Sequence, residues 1–419
     1  KIEKMRFTQI ILALLLSPTL ARITYHNDQV LRIIPSSDED VMALRNFADE
    51  NQYDVWQEPR AAGVPVDLRC TTSNKGVRTC DNLRSFLNEH DMKYSTMIED
   101  IESLISFPKS SEYNASTYNS YDVTTAWVQE LSESFSDICE LVNIGTSYEG
   151  RPITGIRITG NKNKGNDKPG FWLDGGLHAR EWITTAVVSY MLDEALVGYS
   201  NGDEQLVNII DNLDLLFAPI LNPDGYDYTF TDDRMWRKTR MPNDHSPCYG
   251  TDPNRNWDFH WGEAGQSTHP CSDSYSGVSA ANQPEIIAVQ DYIRNDNNFK
   301  GYINFHSYSQ LWMSPWGYTS DPSPDYDIQN AGSKAAVDAL EAVHGTEYVY
   351  GPISTTIYPA SGSSCDYTYG VCNVTFSYGV ELRDTGEYGF LLPEDEIKPS
   401  GEETWAGVIA LANVIIEAQ

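Results

Sequence analysis

Two apolar runs constrain the fold of this chain most: "NLDLLFAPILNPDG" from Asn212 and "GYINFHSYSQLWMSPW" from Gly301. A strand with one face in water alternates apolar and polar residues. These runs barely alternate, so each reads as a near-continuous strand covered on both faces. Such a sheet needs helices above and below it. "TAWVQELSESF", "EWITTAVVSYMLDEAL" and the closing "GEETWAGVIALANVIIEA" space their apolar residues as helices do. "PGFWLDGGLH" reads as another strand running into a loop. From about residue 120 onward the expectation is α/β: a mixed, largely parallel sheet flanked by helices, with its ligand site in loops at strand ends.

Residues 22–105 keep a different rhythm. "DQVLRIIP", "YDVWQEP", "VPVDLRC" and "KYSTMI" read as strands, with "SDEDVMALRNFADE" and "CDNLRSFLNEHD" as interposed helices. That order predicts a small α+β open sandwich preceding the larger domain. Between the two, residues 106–119 fall in "SFPKSSEYNASTYNSYD", a Pro/Ser/Asn-rich linker in which Lys109 offers a protease a cut point. The larger domain then runs over 120–419.

At the start, Met5 and Arg6 precede the apolar run Ile10–Leu16 and then Ser17-Pro18-Thr19-Leu20-Ala21. This is the layout of an export signal over residues 5–21, cut after Ala21. Seven apolar residues are too few to span a bilayer, which takes about 20. The expected location is therefore secreted and extracellular, with no membrane partner. A net charge of -31 argues against nucleic acid, whose phosphates need basic clusters. Export permits disulfides. By spacing, Cys70 pairs with Cys80, Cys248 with Cys271 and Cys365 with Cys372, leaving Cys139. The sequons at Asn114 and Asn373 fit a glycoprotein.

"GGLHAREW" puts His178 and Glu181 three apart where a strand gives way to a helix. The strand would deliver His178 to a sheet edge, the first helical turn would set Glu181 beside it, and Arg180 would face the cleft. His306, in "YINFHSYS", supplies a third donor. Two histidines and a carboxylate make a catalytic zinc set with a fourth position open. Alone, the HxxE pair is weak evidence, and a lone strand histidine is ordinarily a hydrogen-bonded core residue.

The surrounding motifs carry more. "SYEGRPI", "GGLHAREW", "NPDGY", "WRKTR", "DPNRNWD", "HSYSQLWMSPWG", "IYPASGSS" and "ELRDTGEYGFLLP" occur in this order. In them the chain resembles the secreted zinc metallocarboxypeptidases of the pancreatic carboxypeptidase A type, in their pro-form. The 22–105 unit is similar to that family's inhibitory pro-segment, notably in "QVLRI" and "YSTMIED". The resemblance implies one zinc ion per chain, held by His178, Glu181 and His306, and a zymogen that an activating protease opens. It implies Glu381 as general base and Arg237 as oxyanion stabiliser. It implies Asn254 and Arg255 as the grip on a terminal carboxylate, with Arg180, Ser307, Tyr308 and the mobile Tyr358 completing the substrate-binding set. Asp252 would orient His178. The substrates would be peptide and protein C-termini, and the enzyme a monomer.

Specificity is where the sequence departs from the pattern it resembles. Aligned on "IYPASGSSCDY", the resemblance puts Cys365 at the pocket-floor position that carries aspartate in basic-specific members and isoleucine in apolar-specific ones. Met313, Gly317, Ile353 and Gly379 match other pocket positions and are uncharged. The expectation is removal of large apolar or aromatic C-terminal residues, with a Cys365–Cys372 bridge reshaping the floor. A broad or basic specificity, or an inactive zinc-binding homologue, stays as the alternative.

Overall fold

The computed structural model describes residues 22–72, 78–108, 110–160, 168–296 and 298–419. The export signal of residues 5–21 and the cut point Lys109 lie outside them. Four strands, β1 (Gln29–Ile34), β2 (Asp54–Gln57), β3 (Val66–Cys70) and β4 (Lys93–Ile98), form an antiparallel sheet in the order β2-β3-β1-β4. Helices Asp38–Glu50 and Cys80–Glu89 belong to this unit. The first opens with a capping box between Ser37 and Asp40, which satisfies otherwise orphaned N–H groups.

Period-two alternation gives the small sheet two purposes. Leu31, Ile33, Val66 and Leu68 pack with the helix residues Leu44, Leu83 and Leu87 into the unit's own core. The opposite face carries Val30, which packs with Trp56 and Ile98 against Met235, Tyr308 and Phe390 of the larger unit. The Cys70–Cys80 disulfide ties the end of β3 to the start of the second helix.

The larger sheet contains β5 (Cys139–Thr146), β6 (Pro152–Ile158), β7 (Gly170–Asp174), β8 (Asp214–Ala218), β9 (Phe299–Ser307), β10 (Leu311–Ser314), β11 (Val349–Pro352) and β12 (Phe376–Leu382). Its order is β11-β10-β12-β9-β7-β8-β6-β5. The central strands β12, β9, β7 and β8 run parallel, while β6, β5 and β10 join antiparallel. Every residue of β7 and β8 is buried. Phe171 and Leu173 face one core, with helices Trp182–Ser200 and Ile397–Glu417. Trp172 faces the other, with helix Pro284–Asp296.

The two apolar runs are each shorter as strands than their sequence suggests. "NLDLLFAPILNPDG" contains β8 and then the start of a helix, Pro223–Thr231, because Asn222 caps the Gly225 N–H and Pro223 opens the first turn. "GYINFHSYSQLWMSPW" splits into β9 and β10 at Ser309 and Gln310, both at positive φ. β10 then pairs with the far side of β12 and runs opposite to β9. β7 lies at the centre of the sheet between β9 and β8, and His178 follows just past its C-terminal end. Complete burial of its residues requires that place.

Candidate active site

Where β7 ends, Gly175 and Gly176 turn the chain against the helix that follows. A Cβ on Gly175 would sit 2.8 Å from the Thr184 carbonyl, and Gly176 holds a φ of +60°. Only glycine allows both the approach and the conformation. The loop then presents His178, and Glu181 occupies the N-cap of helix Trp182–Ser200 rather than its first turn. His306 comes in from β9.

These three side chains, all buried, converge. His178 Nδ1 lies 2.9 Å from Glu181 Oε1, and His306 Nδ1 lies 3.0 Å from His178 Nδ1 and 3.1 Å from Glu181 Oε2. Among the described residues this is the one group of His, Cys, Asp and Glu side chains placed to hold a metal ion. Tetrahedral zinc with bonds of ~2.0–2.1 Å would set its donors about 3.3 Å apart. The set fits a zinc ion in number, chemistry and spacing.

Short interactions frame that set. Asp252 Oδ1 lies 3.0 Å from His178 Nε2. Burial disfavours the charge on Asp252, yet Arg237 and His178 hold its carboxyl well below the usual range. Arg237 donates to Asp252 Oδ2 at 3.0 Å and to Glu181 Oε1 at 3.3 Å. Glu381 on β12 stands in register with His306 on β9, so the parallel pairing brings both to one place. Burial, reinforced by Glu181, pushes its carboxyl up to about 7 against the opposing pull of His306 and Arg237.

Asp252 also caps the short turn Pro253–Arg255, which is why Asn254 and Arg255 arrive beside it. Asn254 Oδ1 accepts from the Ser364 N–H at 2.9 Å, leaving its NH2 toward the site. Arg255 is steadied by its Nε bond to the Gly265 carbonyl at 2.7 Å and donates from Nη2 to the Tyr358 hydroxyl at 3.3 Å. The Ser307 N–H donates to Glu181 Oε2 at 3.2 Å, while its buried hydroxyl has no protein partner.

Leu311, Met313, Ile353 and Cys365 pack together as a buried apolar cluster. Gly379 stands opposite Met313 in the β10–β12 register, and a Cβ built there would meet nothing within 4 Å. The expected Cys365–Cys372 bridge does not form; both remain thiols, whereas Cys248 joins Cys271. Cys365 lies in the first turn of helix Ser364–Gly370 and Cys372 lies past its end. From Cys365 to the helix end at Gly370 the chain already advances about 7.5 Å, beyond the ~4.4–6.8 Å Cα separation that a disulfide spans. Asp366 is the nearest carboxylate in sequence. Burial pushes it up to about 7, and it accepts from the Gly317 and Tyr318 N–H groups.

Sequence reasoning missed two residues of the small unit that reach this cleft. Asp54 Oδ1 accepts from Arg180 at 2.8 Å, and Asp67 Oδ2 accepts from the Tyr308 hydroxyl at 2.6 Å. Arg180 is therefore 1 % exposed, covered rather than open to the cleft. Arg69 and Arg32 brace these two carboxylates from behind. The available signal was an acid inside each short apolar strand, in "DVW" and "VDL".

A cavity of about 890 Å³ remains between the units, bordered by Glu381, Arg255 and Tyr358 on one side and Glu58 on the other. Residues 124–407 match the zinc carboxypeptidase family, and residues 31–106 match the carboxypeptidase activation peptide. The chain is 36% identical to carboxypeptidase A1 of Mus musculus, over 96% of this chain and 97% of that protein. It is 46% identical to carboxypeptidase B of Astacus astacus over 71% of this chain and 97% of that one. The crystal structure of thrombin activatable fibrinolysis inhibitor superposes with a TM-score of 0.85 at 31% identity, covering 94% of this chain and 100% of that one. The chain belongs to the zinc carboxypeptidase family and is a metallocarboxypeptidase made as a zymogen, with its activation peptide lying over the cleft.

Proposed function

We propose that the enzyme removes large apolar or aromatic residues from peptide and protein C-termini. The uncharged cluster of Leu311, Met313, Ile353 and Cys365, with open space at Gly379 opposite Met313, supports this reading. His178, Glu181 and His306 would hold the zinc ion, which would supply Lewis-acid chemistry there. Arg255 and the Asn254 amide hold the terminal carboxylate; an internal peptide bond has none to offer, which makes the enzyme an exopeptidase. Glu381 takes a proton from the attacking water and delivers it to the leaving amine. Arg237 stabilises the developing oxyanion, and Asp252 fixes the ring of His178. Tyr358, already bonded to Arg255, closes over bound substrate.

We further propose secretion, cleavage by an activating protease within residues 106–119, and a monomeric enzyme. The two disulfides support an oxidising compartment. Among the described residues no helix is long and apolar enough to cross a membrane.

Peptides ending in Phe, Leu, Arg and Glu, assayed before and after limited trypsin treatment, test the whole reading. Phe and Leu release that rises on treatment is the expected result. The similarity to a carboxypeptidase B makes release of Arg the informative contrary outcome, since it would overturn the apolar pocket assignment while keeping the chemistry.

A further inference from the structure

We propose that Asn304, held from behind by Asp174, positions His306 for the metal, as Asp252 positions His178. The proposal rests on His306 being a zinc ligand.

Both histidines turn Nδ1 toward the shared donor set. On each ring Nε2 then carries the proton and needs an acceptor. For His178 that acceptor is the Asp252 carboxylate. His306 Nε2 has two amides beside it. Asn254 lies 3.2 Å away but presents its NH2, because the Ser364 N–H occupies its oxygen. Two donors facing each other make no bond. Asn304 presents its oxygen and accepts from His306 Nε2.

The orientation of Asn304 is fixed from the far side. Trp172 Nε1 can only donate, and it donates to Asp174 Oδ2 at 2.6 Å. Asp174 Oδ1 accepts from the Asn304 NH2, which leaves the amide oxygen for His306. Flipping the amide would set oxygen against carboxylate at one end and NH2 against N–H at the other. Trp172, Asp174 and Asn304 are each 0% exposed, so bulk water cannot take either role.

The sheet builds this chain of contacts directly. Asp174 and Asn304 are register partners across β7 and β9, and Asn304 and His306 are two residues apart on one face of β9. One metal-binding ring is therefore braced by a carboxylate from a loop, the other by an amide from the sheet core.

Zinc affinity of the full-length chain, measured by chelator competition, tests the proposal. Asn304→Leu keeps the side chain's approximate shape but removes the acceptor, and should weaken zinc binding about 10–100-fold. The exchange Asn304→Asp with Asp174→Asn restores an acceptor for His306 and a donor between the two positions, and should recover most of the loss. Unchanged affinity in Asn304→Leu, or no recovery in the exchange, would overturn the positioning role. His306→Ala is the separate check on the ligand assignment: zinc affinity equal to the parent's would remove the reading on which this rests. In the zinc-loaded parent, nitrogen-15 NMR should find a slowly exchanging proton on His306 Nε2 close to the Asn304 side chain. An unprotonated Nε2 would sink the proposal whether or not any variant folds.

Discussion

The lid and the floor of the cleft both carry buried charge, and they use it differently. On the floor, Asp252, Arg237 and Glu181 bond to one another and to the histidines, within the larger unit. On the lid, Asp54 and Asp67 reach across to Arg180 and Tyr308. Neither lid carboxylate bonds to His178, Glu181, His306 or Glu381 among the described hydrogen bonds, and a cavity of about 890 Å³ stays open between the units. The activation peptide thus bonds to Arg180 and Tyr308 beside the His178, Glu181 and His306 cluster and leaves the hydrogen bonds of that cluster within the larger unit.

Removing the metal should give the largest effect. Chelation should abolish hydrolysis in the processed enzyme and added zinc should restore it, while the unprocessed chain keeps its lid closed by the same ion pairs. An activity that survives chelation would break the metal half of the comparison. Next, Glu381→Gln in the processed enzyme should lower kcat by about 10²–10⁴-fold with zinc affinity little changed, the usual range for a lost general base. Near-normal turnover would remove Glu381 from that role.

The lid is tested by Asp54→Ala with Asp67→Ala in the unprocessed chain. Arg180 would keep only Asp273, at 3.2 Å, as an ion-pair partner, and the Tyr308 hydroxyl would lose its acceptor. Cleavage of long peptides should therefore appear without proteolytic activation, and kcat after full processing should match the parent's. If the double variant stays as closed as the parent, apolar packing of Val30, Trp56 and Ile98 holds the lid instead. The smallest expected change is a shift in preference. Gly379→Val fills the open space opposite Met313 and should reduce the kcat/KM ratio of Phe-ended to Ala-ended peptides by about 10-fold if the substrate side chain enters there. An unchanged ratio would mean that side chain binds elsewhere.

Legibility followed the range of the interactions. The helices and strands of the small unit were readable because local capping and period-two alternation write them into short segments. The two apolar runs were over-read as single strands. Hydropathy does not show where a buried chain changes direction, and the breaks at Asn222 and Ser309 depend on a cap and on backbone angles. The candidate metal donors were proposed through motif resemblance. Their spacing alone, three residues in one case and 125 in the other, would not have joined them. Cys365 and Cys372 show the opposite error: seven residues apart in sequence, they are kept apart by an intervening helix.

What the sequence determined by itself is the set of parts: two units of different rhythm, strands buried on both faces, and the residue types that zinc and a terminal carboxylate require. Each follows from periodicity or side-chain chemistry, which are properties of the residues themselves. Tertiary structure alone decided which parts meet. The β9–β12 register set Glu381 against His306, the β7–β9 register set Asp174 against Asn304, and the outer face of the small sheet brought Asp54 to Arg180. These partners are 75, 130 and 126 residues apart, and hydrogen-bonded register and packed faces bring them together where no local preference could.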